Sequence, residues 1–407
     1  MLRTRLLPTL TAFVAALALA ACDSAVNAPA LDASTPDIAS TPDALARGFT
    51  VEEAPDWTAL FQRTSGWTGA DGIFSIPLSG NDDVGTASGQ NTLFLFSDTF
   101  IGDVDPDGSR SNARLVNNTI AQLRGGAPDP SAIQFYWPGG RTNPAAVFTP
   151  QIPEASPDDW YWLGDGFAAQ DGTVYTLPLR VRRVADGPFG FDVVGVSVIA
   201  LPPGARPPFR NQRQAALPFF REPQGNRGQI LMNAGVFVNT TWAGAPEPDG
   251  FVYVYGVEEV PFNKYLLVAR VPDGAFEDFS QWRFYDGQTW TDDFDRIARL
   301  TDRVSNELSV TPIPSGGFAV VFQKDTIGGE VAARTTPSPV GPFGTVIDLY
   351  RVPEADDARA FTYNAKAHPH LSDPGTLLIS YNVNAVDFFE GLGDESLYRP
   401  RFIRVRF

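Results

Sequence analysis

The chain has 407 residues and a formal net charge of −16, with 31 Lys and Arg against 47 Asp and Glu. Such an acidic surface repels nucleic acid and anionic membranes, so neither is expected as a direct partner. Hydrophobic residues make up 43% of the chain, enough for a large core, while 37 Gly and 35 Pro favour many short strands and turns over long helices.

Arg3 and Arg5 precede an apolar run at residues 6–21 that is too short, and wrongly flanked, for a membrane span. The run ends in Leu19-Ala20-Ala21-Cys22, and Cys22 is the only cysteine. The stretch resembles the bacterial lipoprotein signal. That resemblance implies removal of residues 1–21 and lipid on the Cys22 thiol, which places the protein in the bacterial cell envelope with the lipid as its only membrane contact. No disulfide is then available, so the fold rests on its core. Residues 22–47 are rich in Ala, Ser, Thr, Pro and Asp without periodicity. They read as a disordered tether spanning roughly 30 Å. Residues 48–407 are expected to form one domain.

A loose repeat then begins. Each unit has a first strand with a polar residue near its start, a turn, a second strand of aromatic and β-branched residues, and a third strand. The starts are Gly69-Ala70-Asp71-Gly72, Gly164-Asp165-Gly166, Met232-Asn233-Ala234, Ser305-Asn306-Glu307 and the stretch at residues 363–384. That last stretch holds both histidines, His368 and His370, and Lys366, one of three lysines. Fourth strands are expected from QFYW, RFYDGQTW and TVIDLYRV, with none assigned in the second unit. Five antiparallel units imply an all-β chain folded as a five-bladed β-propeller. Residues 49–61 are expected to close the ring by completing the fifth blade.

In a propeller the first strands line the central channel and present the same end to one face. Asp71, Asp165, Asn233, Glu307 and His368 are therefore expected to converge. Carboxylates brought together repel, which raises the proton affinity of at least one and suits acid–base chemistry near neutral pH. Asp171, Asp249 and Asp373 read instead as turn formers. Asp98 follows an apolar strand and is expected beside the pocket, with Arg114, Asn117 and Asn118 supplying hydrogen bonds. Trp160, Trp162 and Trp242 stand at loop ends, where each reads equally as a stacking platform or as core.

The segments LFLFSDTFIG, WLGDGFAAQDGTVYTL, NELSV, SPVGPFG and YNAKAHPHL…LLISYNVN resemble those of bacterial five-bladed propellers related to glycoside hydrolases. The resemblance is to a former domain-of-unknown-function family that includes bacterial endo-D-arabinanases. More widely it is to the arabinanase, levansucrase and neoagarobiose-hydrolase families. It implies a glycosidase acting on a polysaccharide or oligosaccharide, without a cofactor, with Asp71, Asp165 and Glu307 catalytic and Asp98, Asn118, Asn233, His368 and His370 binding substrate. In several of those families the acid Glu lies in the third blade. Here that blade offers Asn233, and the Glu falls in the fourth as Glu307. A non-catalytic carbohydrate-binding lipoprotein is the alternative, and a protein-interaction propeller a third reading. A monomer is expected.

No metal site is expected. Asp103, Asp105 and Asp107 with Gly108 imitate the front of a calcium loop, but Arg114 stands where the bidentate Glu belongs, so the segment reads as an acidic turn.

Overall fold

The computed structural model describes residues 48–407, apart from 188, 189, 315 and 389. The signal at 1–21, Cys22 and the tether at 22–47 lie outside the described residues.

Five antiparallel sheets of at least four strands follow one another along the chain. Blade one runs Phe74–Pro77, Asn91–Phe96, Thr119–Arg124 and Ile133–Tyr136. Blade two runs Gly166–Ala168, Val174–Thr176, Phe191–Leu201 and Arg213–Leu217. Blade three is Gln229–Asn239, Phe251–Val260, Asn263–Pro272 and Arg283–Tyr285, with Trp290–Thr291 at its edge. Blade four is Leu308–Pro312, Phe318–Gln323, Glu330–Thr336 and Ile347–Arg351. Blade five is Ala360–Ala367, Thr376–Ala385 and Pro400–Arg406, completed by Thr50–Glu53 from the other end of the domain. Thr50 pairs with Arg406 and Glu53 with Ile403, which is the ring closure expected of residues 49–61. Only the first of those residues form the strand; Pro55–Leu60 is a short helix that buries Trp57 and Leu60.

The core lies between blades rather than at the centre. Second strands such as Phe318–Gln323 and Thr376–Ala385 are buried along their whole length. A strand covered on both faces has no solvent side, so its apolar residues run on without alternation. One apolar cluster joins blades two, three and four, and a second joins four and five. A third packs Leu378 and Phe402 of blade five on Phe94 and Phe96 of blade one, and a fourth joins one to two. Every neighbouring pair of blades is thus glued by burial, the last pair included.

Two additions were not expected. Ser65–Ala70, Thr99–Val104 and Arg110–Val116 form a separate three-stranded sheet inserted around blade one. Leu179–Arg183 extends blade two by pairing with the first half of Phe191–Leu201, and Trp160–Trp162 pairs in turn with Leu179–Arg183. The acidic segment near Asp105 is the hairpin turn of the inserted sheet. Asp107 accepts the Ser109 N–H at 3.0 Å there, and Asp103 pairs with Arg141.

Candidate active site

The first strands of all five blades line one cavity. Asp165 and Lys366 stand in its wall, with Ser75, Ser309, Thr311 and Asp82 further along. Asp71 and Glu307 precede the first strands of blades one and four, as Asp165 does in blade two. Glycine follows two of these three acids for a steric reason. Gly72 has φ of +64°, and a Cβ there would sit 2.8 Å from Ser97 Oγ; a Cβ on Gly166 would sit 2.0 Å from the Tyr175 carbonyl.

Asp71 is held from two sides. Its Oδ2 accepts the hydroxyls of Tyr363 at 2.8 Å and Tyr398 at 3.2 Å. Its Oδ1 is buried without a partner. Its backbone N–H reaches the Asp98 carbonyl at 3.3 Å, so the two acids are neighbours. Burial and then Asp98 push the Asp71 carboxyl up to about 8, against the opposing Tyr363 hydrogen bond. Asp98 accepts Asn117 Nδ2 at 3.2 Å. Burial pushes it up to about 6, although the Trp162 indole lies close enough to favour the charged form. That indole N–H stands outside full hydrogen-bond geometry.

Asp165 accepts two backbone N–H groups, Gly166 at 2.8 Å and Val236 at 2.7 Å. Burial still pushes it up to about 7, with Asp82 adding repulsion and Lys366 opposing. Glu307 forms an ion pair with Lys366, Nζ to Oε2 2.5 Å, and accepts Asn364 Nδ2 at 2.9 Å on Oε1. Burial raises its proton affinity above the usual carboxylate range, with Lys366 opposing. The Lys366 ammonium lies 4.4 Å from the centre of the Phe74 ring. Glu307 acts electrostatically on Asp71, and Lys366 on both Asp165 and Glu307, so the acids of blades one, two and four share one field.

The remaining candidates fall elsewhere. His368 and His370 are each 1% exposed, and both ring nitrogens of each are already engaged. His368 bonds Ser75 at 2.7 Å and Ser380 at 2.8 Å, while His370 bonds Thr92 at 3.0 Å and Asp82 at 2.6 Å. Direct contact with a substrate is therefore corrected to support of Ser75 and Asp82, which do line the cavity. Burial keeps His368 well below the usual imidazole range, with Lys366 adding to the effect. Asn118 is also corrected. It is fully buried and bridges the Phe148 and Tyr161 carbonyls at 2.9 and 3.0 Å, which pins blade one to the segment entering blade two. Asn233 is buried in a bulge of its strand, between Leu231 and Gly235. Trp242 donates to Asp273 at 2.7 Å, and Trp160 packs edge-on against Trp162. Arg114 is exposed on the inserted sheet.

The sequence reading passed over Tyr363, Tyr398 and Asn364. Tyr398 and Asn364 take φ of +61° and +60°, left-handed conformations that no alternation of side chains reveals. Among the described residues no group of three or more His, Cys, Asp or Glu is arranged to hold a metal ion.

No curated protein matches the chain. Among solved structures, a candidate hydrolase from Bacteroides ovatus ATCC 8483 superposes with a TM-score of 0.65 at 20% identity, over 94% of this chain and 97% of that one. At that identity the likeness is one of fold. A protein of unknown function from Dyadobacter fermentans DSM 18053 gives a TM-score of 0.42 at 10% identity, over 85% of this chain and 96% of that one. An alpha-L-arabinofuranosidase from Podospora anserina, solved with cellotriose, gives 0.40 at 13% identity, over 84% and 98%. The family model described as "Domain of unknown function (DUF5005)" matches residues 55–406, nearly the whole propeller, and the chain belongs to that family.

Proposed function

We propose that this protein is a glycan hydrolase whose reacting groups are Asp71 and Glu307, with Asp165 and Asp98 setting the local field. One observation carries the reading: the segment Tyr363 to Lys366 of blade five joins the acids of blades one and four, Asp71 and Glu307, and burial raises the proton affinity of both. Buried acids that repel one another cost stability, and such an arrangement is a mark of acid–base sites. Glycoside hydrolysis needs two carboxyl groups flanking the scissile bond, one to protonate the leaving oxygen and one to activate water or attack carbon. The substrate is a polysaccharide or oligosaccharide, and arabinan is the first to test because of the motif resemblance. We place the protein in the cell envelope as a monomer held by lipid on Cys22.

The test is incubation of the full chain with arabinans, fructans and other polysaccharides, reading released reducing sugar. Release that is abolished by Asp71→Asn and Glu307→Gln, with circular dichroism unchanged, supports the reading. Saturable binding to a glycan with no sugar released supports the carbohydrate-binding alternative. Turnover that survives both substitutions overturns the site.

A further inference from the structure

The inner strand of blade five carries a bulge at residues 363–366, where Tyr363 pairs with Asn382 but Lys366 with Ser380. This short segment reaches three acids in three other blades. Tyr363 donates to Asp71, Asn364 donates to Glu307, and Lys366 pairs with Glu307 and acts on Asp165. The left-handed backbone of Asn364 accompanies its turn toward Glu307, a conformation asparagine tolerates better than most residues.

The donors are unevenly shared. Glu307 Oε1 accepts the Asn364 amide, and Oε2 lies 2.5 Å from the Lys366 ammonium as an ion pair outside hydrogen-bond alignment, so both oxygens face groups that present only hydrogens. A proton on either oxygen would point at another donor. Both oxygens of Asp165 likewise accept N–H groups. Asp71 differs, because two hydroxyls meet at Oδ2 and none reaches Oδ1. A buried bare carboxylate oxygen is costly, and a proton there removes the charge. Lys366 cannot leave for water, since it is 2% exposed and its ammonium is packed over Phe74.

We infer that Lys366 is a positioning residue that holds Glu307 as the anion of the site and leaves the transferable proton on Asp71; this rests on the reading of the site as a hydrolase centre. The surrounding charges separate the two acids. Asp71 faces Asp98, Glu307, Tyr363 and Tyr398, and burial with Asp98 pushes it up to about 8. Both tyrosines are pushed well above the usual phenol range by burial and by Asp71, so they remain neutral donors. Glu307 faces Lys366, Asn364, Asp71 and Tyr363, and Lys366 is the cation among them.

The test is a carboxyl titration by NMR of the full chain labelled with ¹³C at Asp and Glu side chains, with Asp71→Asn and Glu307→Gln identifying the two signals. Glu307 is expected to stay ionised at neutral pH while Asp71 titrates near pH 8. Lys366→Met is expected to move the Glu307 titration up by about 1–3 pH units, and Lys366→Arg to restore it. Should Lys366→Met fail to fold, Asn364→Ala removes one donor and gives a smaller shift in the same direction. A Glu307 that is protonated at pH 7 in the unaltered chain, or that fails to move in these variants, overturns the inference. No substrate enters this experiment, so the two readings fail separately. The expected titration order with no sugar released from any glycan leaves the charge assignment standing and removes the hydrolase reading. Released sugar with the order reversed removes the assignment alone.

Discussion

Blades three and five both break the pairing of their first strand near its start, and they put the break to different uses. In blade three, Met232, Asn233 and Ala234 stand between the paired residues Leu231 and Gly235, and all three are buried. Gly256 opposite leaves space that Met232 fills; a Cβ there would sit 2.4 Å from the Met232 sulfur. In blade five the break turns Tyr363 and Asn364 toward the acids of blades one and four, and Lys366 follows at once. A bulge is a way to re-aim side chains, and what it then does depends on what the sequence puts there. In blade three Met232 fills the space left by Gly256, whereas in blade five Tyr363, Asn364 and Lys366 reach the acids.

The sharpest way to break this contrast is Glu307→Gln. If blade five serves chemistry, turnover on a cleaved glycan should fall by on the order of 10²–10⁴-fold, read as initial rate, with near-native thermal unfolding. Next is Lys366→Met, which strands Glu307 as a buried charge and should lower stability by about 3–5 kcal/mol in denaturant unfolding. Most of that loss should return in the double variant with Glu307→Gln, because the unpaired charge is gone. A third prediction concerns pH. In the unfolded chain the Asp71 carboxyl loses its proton near its ordinary value, while in the folded protein it keeps it up to about 8. The native state therefore loses stability as pH rises between those values. Asp71→Asn removes that loss, so it should stabilise the protein by a few kcal/mol (order of magnitude) above pH 8, with no gain below about pH 4. The smallest effect sharpens the contrast directly. Asn233→Ala should cost about 1 kcal/mol of stability and leave carboxyl titrations unmoved, whereas Asn364→Ala should shift that of Glu307.

Much of the ring was legible because propeller blades are local. Alternation, Asp-Gly turns and aromatic second strands lie within a few dozen residues of each other, so segments such as FAVVFQ and TLLISYN announce themselves. Arg213–Leu217 escaped because RQAAL has no β-branched or aromatic residue, and the long neighbour Phe191–Leu201 dictates its pairing. The inserted sheet escaped because its strands frame a break in blade one that no local pattern marks. Within the site, Asp71, Asp165 and Glu307 could be picked out as acids at strand entries. The histidines drew attention by rarity, yet their nitrogens are spent on Ser75, Ser380, Thr92 and Asp82. Their neighbour Lys366 holds the ion pair instead. Rarity marks a residue as unusual, but burial and partners decide whether it meets solvent or protein.

The ladder between Thr50–Glu53 and the last strand joins residues more than three hundred positions apart. It makes the polypeptide mechanically endless, a hoop rather than a string. A protease that cuts the turn at Phe262, which is 79% exposed, would yield two fragments still clasped at both the cut hairpin and this seam. Such a nicked protein should keep its shape until denaturant parts the pieces, and survival of a single cut would then say little about whether the polypeptide is intact.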